Sequence, residues 1–377
     1  MEKFCKSPWH HININNAGVL RPCCLFWPRI TERHFITDDM NIFEHYQTLY
    51  DDVKKEGLNH RGCKKCKEQE DLGIKSRRIK QEQKTTPPDG WINFIDITFG
   101  NTCNLKCRMC RSMNSTKWIS DEQYLQQKGF PLQHSINSKF ELSQKQVNDI
   151  INYCNSYPGE DFYLEVKGGE PFVTDAFLNF ISGLSEEFKR KCTLRVFSNG
   201  TDISDDYIKK LSTFKEINYT VSLEAVGELY NYIRGGDKLT LDDAVNTARK
   251  LSHLKNVNYT TSITTSVYSI FDQLEIVEFG KKVGYILEVD AFVNFVQSPS
   301  YLDPVIIPQK YKDQLIEKYS KYDVLSNVVK YLKQPKKYHD GKALLEQFFT
   351  FTDLLDARRK ENLYDIVPIF KEMRNEL

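Results

Sequence analysis

The sequence contains no apolar run of about 18 residues and no repeat or low-complexity segment. A transmembrane helix needs about 20 predominantly apolar residues, so the first absence argues against a helical membrane span. The net charge of the 377 residues is only +1 at pH 7, which gives no overall basic attraction to nucleic acid or to an anionic membrane. We therefore expect neither a membrane nor a nucleic acid as a partner.

A secretory signal is also lacking, because the first residues, MEKFCKSPWHH, contain no apolar segment. The expected location is the cytoplasm, where thiols stay reduced. The chain has ten cysteines, and clustered cysteines in a reducing compartment indicate metal binding more than disulfide bonds. Hydrophobic residues make up 40% of the chain, which is enough for a large folded core.

The pattern becomes regular after the turn-forming segment TTPPDG, residues 85–90. Apolar, β-rich segments then alternate with amphipathic helical patterns, which indicates β-α-β units and a parallel sheet. Six such units predict an α/β fold with a partial (β/α)6 barrel, although an open doubly wound sheet has the same alternation. The predicted strands cover residues 92–99, 161–167, 193–199, 217–224, 257–265 and 286–296.

Three regions are predicted along the chain. Residues 1–90 form a cysteine-rich module that looks irregular over its first 62 residues and fits one charged helix over residues 63–83. Residues 91–300 hold the barrel and include a long loop at 128–142. Residues 301–377 are predicted to form a helical extension, since helical periodicity dominates there.

Cys103, Cys107 and Cys110 follow the first predicted strand directly, with three and then two residues between them. In β/α proteins, active sites form at the C-terminal ends of the strands. A structural zinc site normally has four protein ligands, whereas a [4Fe-4S] cube held by three thiolates keeps one iron open for a small molecule. The alternative is a zinc site whose fourth ligand lies elsewhere in the chain.

The CxxxCxxC spacing resembles that of the radical S-adenosylmethionine (SAM) superfamily, and further motifs of that family follow in order. KGGEP, SNG and SLE end the next three predicted strands, and the resemblance covers about residues 91–300. It implies a [4Fe-4S] cluster that binds SAM. The implied contacts are Met109 with adenine, Gly168, Gly169 and Glu170 with the methionine amino group, Ser198 and Asn199 with ribose, Ser222 and Glu224 with ribose or carboxylate, and Arg234 with the methionine carboxylate.

A second cysteine group, Cys5, Cys23, Cys63 and Cys66, can close a site for zinc or for another iron–sulfur cluster. The spacing C-x12-G-x4-C resembles the SPASM and twitch modules of the same superfamily, and the cysteine count fits the single-cluster twitch type. This resemblance implies a second, auxiliary [4Fe-4S] cluster. Those modules usually follow the barrel, whereas this one precedes it. Cys24 competes with Cys23 for one ligand position, and the spacing favours Cys23.

The resemblance implies an enzyme in which the reduced cluster cleaves SAM to methionine and a 5′-deoxyadenosyl radical, which abstracts hydrogen from a substrate. The auxiliary cluster implies an oxidation or a peptide or protein side-chain modification, with flavodoxin or ferredoxin as electron donor. An alcohol or sugar-like dehydrogenase of the same superfamily and a non-catalytic, metal-stabilised binding protein are the alternatives. Candidate pocket residues at strand ends are Lys167, Tyr219, Asp290 and Asn294, and Cys154 and Cys192 are expected in the core.

Overall fold

The computed structural model describes residues 5–235, 239–284, 291–335 and 338–377. The chain forms two compact units, each built from separate stretches. Unit 1 comprises Met1–Thr102, Lys139–Thr220 and Thr247–Asn258, and unit 2 comprises Cys103–Ser138, Val221–Asn246 and Tyr259–Leu377. The region boundaries expected at residues 90 and 300 stay predictions.

Eight strands form the main sheet, in the order β3-β2-β1-β4-β5-β6-β7-β8. Strand β4 pairs in parallel with β1 and β5, and β5 pairs in parallel with β6, whereas β2 pairs antiparallel with β1 and β3. The strands are β1 (His11–Ile14), β2 (Val19–Arg21), β3 (His34–Phe35), β4 (Phe94–Ile97), β5 (Phe162–Val166), β6 (Cys192–Ser198), β7 (Glu216–Ser222) and β8 (Val257–Ser262).

The strand order decides between the two folds that the sequence left open. From β4 to β8 each strand lies beside the next one in the chain, with no reversal of direction across the sheet. A doubly wound sheet contains such a reversal, so the α/β prediction with barrel-like succession is confirmed. A separate parallel pair joins β9 (Thr264–Thr265) to β10 (Asn294–Phe295). The start of the sixth predicted strand, including Asp290, lies outside the described residues.

The expectation that residues 1–62 are irregular was wrong, because β1, β2 and β3 extend the sheet there. Strand β1 is only four residues long and places the polar His11 and Asn13 on one face, so its sequence lacks a continuous apolar run. The charged segment 63–83 forms two helices rather than one. Gly73 has a φ of +68° and separates them, and the side chain of Ser76 caps the second.

The helices of the two units are α1 (Ser7–His10), α2 (Ile42–Gln47), α3 (Asp51–Glu56), α4 (Lys64–Asp71), α5 (Arg77–Glu82), α6 (Ile119–Gln127), α7 (Gln144–Ser156), α8 (Asp175–Gly183), α9 (Glu186–Lys189), α10 (Asp205–Leu211), α11 (Gly227–Arg234), α12 (Leu241–Leu251), α13 (Gln273–Val283), α14 (Gln309–Tyr319), α15 (Ser326–Leu332), α16 (Gly341–Arg359), α17 (Leu363–Ile366) and α18 (Ile369–Asn375). The helices expected after Pro304 are confirmed. Among the described helices, none has both the length and the apolar character needed to cross a bilayer.

The two faces of the parallel strands differ in chemistry. On one face Ile95, Leu164 and Leu194 and their neighbours are at most 1% exposed and form the core of unit 1. On the other face Asp96, Glu165 and Arg195 lie in register on adjacent strands. Successive side chains of a strand point to opposite faces, and each residue of this polar row directly follows a residue of the apolar face. The fold therefore gives unit 1 one apolar face and one charged face.

The core of unit 2 is built largely from its helices. Helix α16 is 19 residues long and buries Leu345, Phe348 and Leu355, among others. Trp118, which follows the cysteine loop, is 1% exposed and stacks on Phe351 of α16 at a ring-centroid distance of 6.2 Å. The C-terminal helices therefore form part of the same core that supports the cysteine loop.

Candidate functional site

Three cysteines lie on one loop at the start of unit 2. Cys103, Cys107 and Cys110 are all partly exposed. The amide of Leu105 donates to Cys103 Sγ at 3.4 Å, and the amide of Cys110 donates to the Cys107 carbonyl at 2.8 Å. Backbone donors directed at sulfur and a tight turn within the loop are the features of a preformed thiolate site.

Burial raises the pKa of Cys110, and the neighbouring Cys107 and Cys103 raise it further. Burial also raises the pKa of Cys107, although Arg234 acts in the opposite direction. A negative charge on Cys107 or Cys103 therefore disfavours a negative charge on Cys110. A bound metal cluster removes this repulsion because it binds the thiolate form. The donor set of this loop fits an iron–sulfur cluster.

Arg234 and Glu224, both predicted to contact SAM, form a buried ion pair. The Arg234 Nη1 donates to Glu224 Oε2 at 2.8 Å, and both side chains are about 5% exposed. Although burial lowers the pKa of Arg234, Cys107 and then Glu224 raise it well above its usual value. The guanidinium therefore places positive charge beside the cysteine loop, and its predicted contact with a SAM carboxylate stays a prediction.

The other predicted SAM contacts of unit 2 are Met109 and Ser222. Met109 is partly buried and packs against the core of unit 2. Ser222 ends β7 and is partly exposed. Their roles at adenine and ribose stay predictions.

The glycine turn after β5 belongs to unit 1 and has space for glycine only. Gly168 and Gly169 have φ angles of +82° and +55°, which disfavour any residue with a Cβ. A Cβ on Gly168 would lie 2.4 Å from the Thr98 methyl group, and one on Gly169 would lie 2.3 Å from the Thr102 carbonyl oxygen. The turn thus packs its backbone closely against Thr102, the residue that precedes Cys103 in the chain.

Glu170 connects the ends of two strands in unit 1. Its Oε1 accepts from Ser198 Oγ at 2.9 Å, its Oε2 accepts from the Asn199 amide at 2.7 Å, and its own amide donates to the Thr102 carbonyl at 2.9 Å. The residue is 1% exposed. The sequence predicted Glu170, Ser198 and Asn199 as separate SAM contacts, and the structure shows that they form one network.

The four cysteines of the predicted auxiliary site come together within unit 1. Burial raises the pKa of Cys23 well above its usual value, and Cys66, Cys5 and Cys63 are among the groups that raise it further. Burial raises the pKa of Cys63 to about 12, again with contributions from Cys5 and Cys66. Segments up to 61 positions apart thus place four thiols within electrostatic range of one another.

Cys24 borders both the cysteine group, where it raises the pKa of Cys23 and of Cys66, and a pair of carboxylates. Its sulfur and carboxylate oxygens of Asp96 and Glu165 all lie within 4.8 Å of one another. Lys167 Nζ contacts Asp96 at 2.6 Å and Glu165 at 3.0 Å, and Arg77 lies 3.1 Å from Glu165. The two cations neutralise the two carboxylates, so this trio is a charged cluster rather than a metal centre.

Sequence reasoning missed the charged cluster around Asp96 and Glu165. The available signal was one carboxylate among the apolar residues of each of two predicted strands, Asp96 in INFIDITF and Glu165 in DFYLEVK. A charge in such a strand is costly unless it is paired, which predicts buried partners. Arg77 was not identifiable in this way because it lies in a run of charged residues that resembles a solvent-facing helix.

The remaining candidates fall in different places. Tyr219 is 1% exposed and its ring lies 6.3 Å from that of Phe172, and its role as a pocket residue stays a prediction. Asn294 is exposed and donates to Ser262 Oγ at 3.2 Å. Cys154 and Cys192 are fully buried, which confirms them as core residues.

No protein-family model and no curated protein matches the chain. The chain is similar to the solved structure of native anSMEcpe with bound AdoMet, at 15% identity and a TM-score of 0.40, over 61% of each chain. It is also similar to SuiB of Streptococcus suis bound to S-adenosylmethionine, at 13% identity and a TM-score of 0.36, over 73% of this chain and 60% of that chain. A further similar structure is SuiB bound to precursor peptide SuiA, at 12% identity and a TM-score of 0.34. Since these TM-scores are below 0.5, the similarities do not assign the chain to a family.

Proposed function

We propose that the protein is a radical SAM enzyme. The observation that supports this most strongly is the close packing of the Gly168–Gly169 turn and the Glu170 amide on Thr102, which directly precedes Cys103. The motif that resembles a SAM-binding turn is thereby fixed to the residue from which the cysteine loop begins. The parallel pairing of β4 and β5 brings the two strand ends together, and the two glycines allow a backbone approach that a Cβ would block.

In this proposal Cys103, Cys107 and Cys110 hold a [4Fe-4S] cluster with one iron open to SAM. When reduced and bound to SAM, the cluster supplies one-electron cleavage to methionine and a 5′-deoxyadenosyl radical. The chain's own residues bind and orient SAM. The carbonyls of the glycine turn would accept hydrogen bonds from the methionine amino group, whose N–H bonds are donors.

Glu170 has a positioning role in addition to its charge. Because its two oxygens accept from Ser198 and the Asn199 amide, it fixes the end of β6 relative to the end of β5. Ser198 and Asn199 are the proposed ribose contacts, and a hydrogen bond to a carboxylate holds each more firmly than a neutral one. Met109 is the proposed adenine contact, and Ser222, Glu224 and Arg234 are proposed contacts of the ribose and carboxylate.

We further propose that Cys5, Cys23, Cys63 and Cys66 hold a second, auxiliary [4Fe-4S] cluster in a twitch-like module. The mutual influence of these thiols on one another's pKa supports a shared site. The spacing C-x12-G-x4-C supports Cys23 as the ligand, and the two carboxylates within 4.8 Å of the Cys24 sulfur distinguish Cys24 from it. The proposed net reaction is an oxidation or modification of a peptide or protein side chain, with flavodoxin or ferredoxin as electron donor.

Anaerobic reconstitution followed by iron and zinc analysis tests this proposal. We expect about eight irons per chain, four for each cube. Dithionite and SAM should then yield 5′-deoxyadenosine from the parent protein and from a Cys154→Ala control. A fully loaded protein that never cleaves SAM would instead support a non-catalytic binding protein. About four irons with one zinc would assign zinc to the second site and leave the SAM site intact.

A further inference from the structure

Arg108 lies inside the cysteine motif, between Cys107 and Cys110, and is completely buried. A charged side chain at such a place is costly unless it is paired and hydrogen-bonded. Neither the cluster nor SAM needs a cation at this position of the motif. Arg108 directly follows Cys107 and precedes Cys110 by two positions, so its burial calls for charged or hydrogen-bonding partners nearby.

The guanidinium of Arg108 contacts the C-terminal part of unit 2. Its Nη2 donates to Asp356 of α16 and to Glu361, which follows that helix. The Nε donates to the Tyr232 carbonyl at 3.2 Å, and the group lies over the Tyr232 ring at 3.6 Å. Two carboxylates and an aromatic face thus hold one guanidinium in a fixed orientation.

The backbone of the same loop is also held. The Arg108 amide donates to the Ile233 carbonyl at 2.7 Å. The partner carboxylate is itself fixed, because Asp356 accepts from the Tyr232 hydroxyl at 2.9 Å and from the Leu363 amide at 2.8 Å. The Asp356 anchor is therefore held by two further hydrogen bonds, which distinguishes it from a surface ion pair.

A second link connects α16 to another cluster ligand. Trp118 Nε1 donates to the Cys107 carbonyl at 2.8 Å. The Arg359 guanidinium lies over the Trp118 ring at 4.9 Å, and Arg359 also pairs with Asp121 at 2.8 Å. Residues of α16 thus contact the Arg108 side chain directly and reach the Cys107 carbonyl through Trp118.

We propose that Arg108 is a positioning residue that holds the cysteine loop in its cluster-binding shape, with Asp356 and Glu361 as its anchors. The C-terminal extension is then part of the cluster site rather than an appendage. The identity of the cluster rests on the proposed function, whereas the coupling of α16 to the loop rests on the contacts described above.

The experiment measures the release of iron to a chelator from the reconstituted, oxidised protein. In Asp356→Asn and Arg108→Met we expect about four of the irons to leave at least about tenfold faster than in the parent, while the auxiliary irons leave at the parental rate. The auxiliary cluster is thus an internal control. Asp353→Asn is the matched variant on the same helix, since Asp353 pairs with Arg374 and Tyr364, and it should release iron like the parent.

Either single variant leaves a buried charge without its partner and is at risk of unfolding. The double variant Arg108→Met with Asp356→Asn removes the two buried charges, leaves only the partly exposed Glu361 and keeps an acceptor for the Leu363 amide, so it is expected to fold. A purely structural role predicts that the double variant recovers both stability and the parental electron paramagnetic resonance spectrum. Our proposal predicts recovered stability, fast release of four irons and altered g-values of the reduced cluster.

A folded double variant with parental iron release and parental g-values would overturn the proposal. If that variant does not fold, Glu361→Gln decides, because Glu361 is partly exposed and its loss is milder. We expect about threefold faster release of four irons in that variant, since one of two anchors remains. Unchanged release would count against the proposal. A parent protein that binds no iron at the loop would instead contradict the proposed function, so the two failures are distinguishable.

Discussion

The two cysteine groups differ in how the chain assembles them. Cys103, Cys107 and Cys110 occupy eight consecutive positions on one loop, whereas Cys5, Cys23, Cys63 and Cys66 come from segments spread over 62 positions. The first group offers three thiols and the second offers four. A local group with one ligand too few is suited to bind a reactant, and a distributed group with a full set is suited to stabilise a fold or to transfer electrons.

The comparison also concerns what supports each group. The loop of unit 2 contacts residues about 250 positions later through Arg108, whereas the four thiols of unit 1 all lie within the first 66 residues. A site with few local ligands thus needs distant support, and a site with many ligands holds its own segments together.

The largest predicted difference is between removal of one cysteine from each group. Cys107→Ala should lower the iron content from about eight to about four and abolish formation of 5′-deoxyadenosine, since three thiolates are the minimum for the open cluster. Cys66→Ala should lower the iron content equally and leave SAM cleavage at a rate near that of the parent. Iron analysis and chromatography of the nucleoside products measure both. Equal loss of SAM cleavage in the two variants would remove the proposed division of roles.

The next prediction separates two adjacent residues. Cys23→Ala should lose the auxiliary iron, because the spacing C-x12-G-x4-C favours Cys23 as the ligand, whereas Cys24→Ala should retain about eight irons. The iron content of the two purified variants is the measurement. Loss of iron in Cys24→Ala alone would assign the ligand position to Cys24.

A third prediction concerns the glycine turn. Gly169→Ala should weaken SAM binding by about tenfold or more, since its Cβ would lie 2.3 Å from the Thr102 carbonyl oxygen and displace the start of the cysteine loop. Gly90→Ala is the control, because Gly90 has a φ of +78° but no atom within 4 Å of an added Cβ. The control should show only a backbone cost of about 1–2 kcal/mol in the free energy of unfolding. Equilibrium dialysis with labelled SAM distinguishes them, and equal affinities would contradict the packing argument.

The smallest predicted effects are two opposite pH dependences. Burial, aided by Arg77, lowers the pKa of Lys84 in unit 1 to about 7, and burial raises the pKa of Asp272 in unit 2 to about 7. The unfolded chain holds more protons at Lys84 between pH 7 and its usual value of 10.5, so stability rises with pH there. The folded chain holds more protons at Asp272 between its usual value of 3.8 and 7, so stability falls with pH there.

Variants without these groups test the signs. Lys84→Met should flatten the rise of the unfolding temperature above pH 7, and Asp272→Asn should flatten the fall below pH 7. Thermal unfolding at pH 5, 7 and 9 measures both slopes. Parental slopes in both variants would show that the two side chains titrate normally in the folded protein.

The elements that could be predicted from the sequence are those whose periodic pattern of apolar residues lies within a single strand or helix. The alternation after residue 90 predicted β4 to β8 and the helix with Val147, Ile150 and Cys154, because each period lies within one element. Strand β1 was missed, since it has four residues and two of them are polar. Its place in the sheet depends on pairing with β4, about 80 positions away, and no local pattern reports that pairing.

The same distinction holds for the site. Cysteine spacing and the order of the short motifs identified the ligand candidates, but not the bonds from Glu170 to Ser198 and Asn199. No sequence pattern marked Arg108 as buried, because its partners lie at the other end of the chain. Contacts between residues of high sequence separation are set by the fold, and a single sequence does not encode them as a pattern.

The central claim is that the loop of Cys103, Cys107 and Cys110 holds a cluster with one iron open to SAM. The direct test is the electron paramagnetic resonance spectrum of the reduced Cys66→Ala protein, which should contain this cluster alone, recorded with and without SAM. We predict that SAM shifts the g-values, because its amino and carboxylate groups become ligands of the open iron. A spectrum that stays unchanged while dialysis shows SAM bound would contradict the claim.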